Sequence, residues 1–237
     1  MQYWYITGTG SGLGNAIAQA VLMRGNTKVF GLSRHQTISH PNYVHHIIDL
    51  SDLEQTKKFK FEPFNKNDQV VLINNAGSLG KIGFVGNVDD ETIIETYNLN
   101  CISPHILMGK FIAEYSGWEC KKVVINVSSG AATTPYDGWG IYCASKSALE
   151  MLTLCVAKEQ ELILNNIKFF SVAPGVMDTA MQEQIRNIDP GVFSRREKFV
   201  DLNKNKQLYD VHAVAEKYLE IVDNAYTMKE TIQRIVL

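Results

Sequence analysis

A doubly wound α/β domain, with a parallel sheet of about seven strands between two layers of helices, is predicted by three features of the sequence. Short apolar runs alternate with longer helical patterns, the runs are continuously apolar, and a glycine-rich turn joins the first run to the first helix. Strands buried on both faces need apolar side chains at successive positions, unlike half-exposed antiparallel strands. Strand–helix–strand alternation then requires crossovers that lay helices on both faces of the sheet.

The predicted strands cover 3–7, 28–32, 43–48, 70–74, 123–127 and 167–172, with a weaker one at 232–236. Predicted helices cover 12–24, 52–61, 91–115, 142–164 and 211–222. No repeat, low-complexity tract or linker divides the chain, so 1–237 reads as a single domain. The polar stretch 177–209 breaks the rhythm with only a broken helical pattern. Connections of that length in compact domains are usually functional, and a lid over a substrate is expected there.

Hydrophobic residues make up 45% and charged residues 20% of the chain, a balance that excludes a disordered protein. The net charge of −2, without a basic run, leaves no footprint for nucleic acid or an anionic membrane. No apolar run approaches the ~20 residues of a membrane span. The start MQYWYITGTG lacks the basic and apolar regions of a signal peptide. Cys101, Cys120, Cys143 and Cys155 form no C-x-x-C pair and have no histidines at ligand spacing. Reduced thiols, no metal and a cytoplasmic location are expected.

The first strand enters Thr7-Gly8-Thr9-Gly10-Ser11-Gly12-Leu13-Gly14, and a helix follows. Glycine lets backbone approach a pyrophosphate without a Cβ in the way, and the helix start offers free N–H groups. Between a strand and a helix, this turn predicts a Rossmann-type dinucleotide site over Gly8, Ser11, Gly12, Leu13 and Gly14. The second strand ends Gly31-Leu32-Ser33-Arg34. A carboxylate there would bind a ribose 2′-hydroxyl. Ser33 stands in its place and Arg34 follows, a cation suited to a 2′-phosphate, so the expected cofactor is NADP(H).

The fifth strand delivers Ser128-Ser129, and Tyr142-Cys143-Ala144-Ser145-Lys146 comes thirteen residues after Ser129. Tyr142 and Lys146, at i and i+4, share a helix face. A phenol titrates near ~10, and a neighbouring ammonium lowers that value by stabilising phenolate. Tyr142 is the candidate acid, Lys146 its activator and a ribose ligand, and Ser129 a donor to the substrate carbonyl. Tyr136 and Trp139 either wall an aromatic substrate pocket or pack in the core. His45 and His46 alternate in a strand and face opposite ways, Trp4 reads as packing, and the side chain of Cys143 turns away from that of Tyr142.

Together these motifs resemble the short-chain dehydrogenase/reductase family. The spacing of Gly8, Gly12 and Gly14, the stretch Asn74-Asn75-Ala76-Gly77, and the set Ser129, Tyr142 and Lys146 carry the resemblance. It implies that Asn75, Ala76 and Gly77 line the adenosine ribose and that Asp49-Leu50 lies near the adenine. It implies a further catalytic Asn before the fifth strand, with Asn98 and Asn100 as candidates. The family's small residue three positions later, here Ser103, points to Asn100. In Ala173-Pro174-Gly175-Val176-Met177-Asp178-Thr179, it places Pro174, Gly175 and Val176 by the nicotinamide and Thr179 on its carboxamide. A homodimer or homotetramer built on 91–115 and 142–164 is implied as well.

Within the family, Gly138-Trp139-Gly140-Ile141-Tyr142-Cys143-Ala144-Ser145-Lys146 is similar to sepiapterin reductase and to benzil reductase-like members. The shared chemistry is reduction of a vicinal diketone or α-hydroxy ketone. Sepiapterin reductases anchor the pterin with a carboxylate near the C-terminus, whereas the tail from Thr231 to Leu237 has no acid. Glu230 and Asp178 are the acids that remain for that role. Three readings stay open: a small-molecule carbonyl reductase, a pterin reductase, and a non-catalytic NADP-sensing protein of the same fold.

Overall fold

The computed structural model describes residues 1–65 and 67–237. Seven parallel strands form one sheet: β1 (Gln2–Thr7), β2 (Thr27–Ser33), β3 (Tyr43–Ile47), β4 (Gln69–Asn74), β5 (Lys122–Val127), β6 (Ile167–Ala173) and β7 (Ile232–Arg234). Their order is β3-β2-β1-β4-β5-β6-β7. The chain builds outward from β1 in one direction and from β4 in the other. The crevice above β1 and β4 is therefore the topological switch point, where doubly wound folds bind their ligands.

Alternate residues of each strand feed two separate cores. Trp4 and Ile6 of β1 pack with α1 (Gly12–Leu22) and α8 (Val211–Asn224) on one face. Tyr5 between them packs on the other face with α4 (Ser103–Tyr115), α5 (Gly140–Leu162) and an aromatic group of Phe30, Phe59 and Phe61. This arrangement is what the continuously apolar runs predict. Trp4 is packing, fully buried. His45 and His46 do face opposite ways: His45 Nδ1 lies 3.0 Å from the Tyr43 hydroxyl, and His46 packs against Phe30 and Phe59.

The structure changes three element boundaries. The predicted helix over 52–61 stops early as α2 (Leu53–Lys58), because Phe59 and Phe61 leave it in extended backbone to enter the core. The predicted strand at 232–236 is only three residues long. The helix predicted over 91–115 is interrupted. α3 (Asp90–Tyr97) gives way to a π-helical turn at Asn98–Ile102 before α4 begins. Pro104 has no N–H for the carbonyl four residues back, that of Asn100, and the turn widens so that Ser103 N–H donates to the Asn98 carbonyl.

The stretch 177–209 contains α6 (Ala180–Arg186) and α7 (Arg196–Lys204), and a parallel bridge between Met177 and Tyr209 closes its base. Phe193 and Phe199 from this stretch are buried against Trp139 and Tyr142, making a third, smaller core beside the crevice. Among the described residues, no helix is long and apolar enough to cross a membrane.

Candidate active site

A cleft of about 1250 Å³ runs across the C-terminal ends of the strands. One end is built from main chain. Gly8 and Gly12 have φ of +74° and +57°, conformations that other residues adopt only at a cost. Gly14 does not line the cleft. It lets α1 settle onto β1, since a Cβ there would fall 2.5 Å from the Gly8 carbonyl oxygen. Ser11, the residue that caps α1, makes no side-chain bond to the helix, so its first-turn N–H groups stay available to an anion. This cradle fits a dinucleotide pyrophosphate.

Asn75 braces the glycine turn. Its side chain donates to the Thr7 carbonyl at 2.9 Å, while Asn75 N–H and Ala76 N–H both donate to the Thr7 hydroxyl. Asn74 reaches sideways to Asn126 of β5 at 2.8 Å and ties the sheet together. Ser33, Arg34, Asp49, Leu50, Asn75, Ala76 and Gly77 all line the cleft. The Arg34 side chain is 71% exposed on the rim, 4.0 Å from the Asp49 carboxylate.

The other end carries side-chain chemistry. Tyr142 and Lys146 are buried on the first turns of α5, and Ser129 follows the end of β5. Burial raises the Tyr142 phenol above its ordinary value, and the neighbouring Ser129 hydroxyl works against that rise. Burial also lowers the Lys146 ammonium to about 8. Lys146 Nζ donates to the Val127 carbonyl at 2.8 Å and lies 5.9 Å from the centre of the Tyr142 ring.

Asn100 is fully buried under this group and does not line the cleft. Its amide donates to the Ser78 carbonyl and the Ser145 hydroxyl and accepts from Ser78 N–H, at 2.8, 3.0 and 2.9 Å. A Cβ on Gly77 would sit 3.3 Å from Asn100 Oδ1 and 3.4 Å from Lys146 Nζ, so the two side chains flank that glycine. Asn98 turns elsewhere, donating to the Ser51 carbonyl.

Tyr136 and Trp139 line the cleft and also pack in the third core. Trp139 stacks on Phe193 with ring centres 4.7 Å apart. Pro174, Gly175, Val176 and Thr179 lie across from the glycine turn, and a Cβ on Gly12 would touch Thr179 Cγ2 at 3.8 Å. Cys143 turns away to the Thr134 carbonyl. Asp178 lines the cleft but pairs with Arg186, and the Glu230 side chain is not part of the cleft.

Sequence reasoning passed over Glu150. Its buried carboxylate accepts from Ser128 at 2.8 Å, from Ser171 at 3.1 Å, and from both ends of the Arg234 guanidinium at 3.0 Å. Burial works to raise the Glu150 carboxyl, but donors from Arg234 and Ser128 outweigh it and hold it below the ordinary glutamate range. The signal was present: Tyr142, Lys146 and Glu150 repeat at intervals of four along one helix face.

Comparison with known proteins agrees with this geometry. The family model for short chain dehydrogenase matches residues 2–189. A benzil reductase ((S)-benzoin forming) from Bacillus subtilis (strain 168) is 36% identical over 230 residues, covering 94% of each chain. Sepiapterin reductase from Rattus norvegicus is 36% identical over 160 residues, covering 65% of this chain and 58% of that one. The crystal structure of the KRED1-Pglu enzyme superimposes with a TM-score of 0.79 at 26% identity, covering 99% of this chain and 100% of that one.

Proposed function

The chain belongs to the short chain dehydrogenase family of nicotinamide-dependent oxidoreductases, and from that premise we propose that it reduces a vicinal diketone or α-hydroxy ketone. In this reading NADPH is the reductant and Tyr142 the proton donor. The observation that carries it is the buried pair Tyr142 and Lys146 beside Ser129, opening on a cleft walled by Trp139 and Tyr136. Such a wall suits an aryl ketone.

When bound, the dinucleotide supplies a hydride to the carbonyl carbon. Ser129 donates to the carbonyl oxygen as negative charge grows on it. Tyr142 gives that oxygen its proton, which leaves an alcohol and a phenolate. Lys146, charged, stabilises the phenolate and holds the nicotinamide ribose. Asn100 acts from behind, fixing Ser78 and Ser145 around them. Gly8, Ser11, Gly12 and Leu13 hold the pyrophosphate. Arg34, with Ser33, takes the 2′-phosphate from the open rim. Asp49 and Leu50 border the adenine, Asn75 to Gly77 the ribose, and Pro174 to Val176 with Thr179 the nicotinamide. The segment 177–209 serves as the lid.

The benzil reductase likeness spans nearly the whole chain, which favours a diketone over a pterin. The C-terminal strand points the same way. It carries no acid, and its Arg234 is paired with Glu150, so it supplies no free carboxylate for a pterin guanidine. A homodimer or homotetramer in the cytoplasm completes the proposal. The test is oxidation of NADPH, with NADH in parallel, against benzil, diacetyl, sepiapterin and a simple ketone. Benzil or diacetyl should be reduced fastest and with NADPH. A preference for NADH overturns the cofactor assignment, turnover of sepiapterin alone overturns the choice of a diketone over a pterin, and equal turnover of the simple ketone overturns the substrate class.

A further inference from the structure

The face of α5 that carries Tyr142 and Lys146 continues one turn further, to Glu150, and all three side chains meet the same short stretch of chain at the end of β5. Tyr142 neighbours the Ser129 hydroxyl. Lys146 Nζ donates to the Val127 carbonyl at 2.8 Å, and the Ser128 hydroxyl donates to Glu150 Oε2 at 2.8 Å. Ser128 N–H donates to the Val172 carbonyl at 2.8 Å. Ser128 is therefore held by its main chain from β6 and by its side chain from α5, and it is 2% exposed.

Ser129 depends on this hold. Its own backbone is extended, with φ −156° and ψ 159°, and in extended chain the direction of one side chain sets that of the next. Fixing Ser128 from both ends thus fixes where the Ser129 hydroxyl points. Ser129 Oγ accepts from Ala131 N–H at 3.1 Å, a bond that uses a lone pair and not its hydrogen.

Glu150 is suited to be the fixed point. Its side chain is 7% exposed, and its carboxylate also accepts from Ser171 of β6 at 3.1 Å and from both ends of the Arg234 guanidinium of β7 at 3.0 Å. A carboxylate gripped by a planar guanidinium has little freedom to rotate, so Ser128 meets an acceptor of set position. We propose that Glu150, held by Arg234, is a positioning residue for reduction: it acts through Ser128 and aims the Ser129 hydroxyl at the substrate carbonyl. The proposal rests on the reading above in which Ser129 donates to that carbonyl.

The test uses two matched variants and a double-mutant cycle. Ser128→Ala and Ser171→Ala each remove one hydroxyl donor to the same oxygen of Glu150, but only Ser128 adjoins Ser129. The readout is the rate of NADPH oxidation in single turnovers, with the ketone reduced fastest in the panel above. Ser128→Ala should lower that rate by about tenfold to a hundredfold without moving the Kd for NADPH. Ser171→Ala should lower Tm by a similar amount and leave the rate nearly unchanged. In a Ser129→Ala background, Ser128→Ala should cause no further loss, because the group it aims is gone. Glu150→Gln, if it folds, should reproduce the loss seen in Ser128→Ala. Equal losses in the two serine variants, an unchanged rate in Ser128→Ala or in folded Glu150→Gln, or full additivity with Ser129→Ala overturns the proposal while the carbonyl reductase reading stands. Wild-type turnover in Ser129→Ala alone, or reduction of no ketone in the panel, overturns the underlying reading and this proposal with it.

Discussion

The two ends of the cleft are built from different materials. The dinucleotide end is a surface of main chain: glycines with positive φ, an uncapped helix start, and an Asn bracing the turn from behind. The chemical end is a surface of side chains: a buried phenol and ammonium, a hydroxyl, and a wall of stacked rings. Main-chain recognition tolerates no Cβ and leaves its mark on the sequence at fixed spacing. Side-chain recognition depends on which rings and amides meet across the cleft, and those come from distant segments.

Substitutions at the two ends should therefore fail in different ways. The largest effect is expected for Tyr142→Phe, which should lower kcat by roughly 10²–10⁴-fold while NADPH still binds, as followed by fluorescence titration. Near-normal turnover would remove Tyr142 from its assigned role. Next comes Phe193→Ala, which empties a fully buried ring position in the third core. Loss of a buried Phe typically costs about 3–5 kcal/mol. Here the loss should appear mainly as a raised KM for an aryl ketone, with KM for NADPH almost unmoved.

Arg34→Ala strikes the opposite end. It should raise KM for NADPH about tenfold to a hundredfold, the range of one charge-assisted contact, and leave KM for NADH nearly as it was. Equal loss with both cofactors would mean that Arg34 reads no 2′-phosphate. Gly14→Ala forces a Cβ toward the Gly8 carbonyl, and overpacking of this kind costs about 1–3 kcal/mol. A lower Tm and weaker NADPH binding should accompany each other in that variant. The smallest effect is on pH dependence. The proposed mechanism needs protonated Tyr142 and charged Lys146, and the Lys146 ammonium is lowered to about 8 by burial. The kcat/KM for ketone should thus fall as pH rises through about 8, and a profile flat across that range would contradict the role given to Lys146.

The fold class and the glycine turn were legible before any coordinates. Continuous apolar runs named the strands of a two-faced sheet, and glycine spacing named the turn. The pairing of Tyr142 with Lys146 on one helix face was legible too, because helix periodicity brings i and i+4 together whatever the rest of the chain does. Boundaries were less so. The π-helical turn at Asn98–Ile102 follows from Pro104 and the burial of Asn100 together, which a uniform helical pattern does not reveal.

What the sequence by itself determined about this protein is whatever follows from local backbone geometry: the parallel sheet, the glycine cradle, and a phenol one turn from an ammonium. Only the tertiary structure decided which polar groups were satisfied and which were left waiting. Asn100 uses both amide hydrogens and its oxygen under the site, Glu150 locks the C-terminal strand through Arg234, and the side-chain N–H groups of Gln182 and Trp139 are buried without partners. The physical reason is that hydrogen-bond satisfaction belongs to pairs of groups far apart in sequence, and no periodicity along the chain encodes the partner.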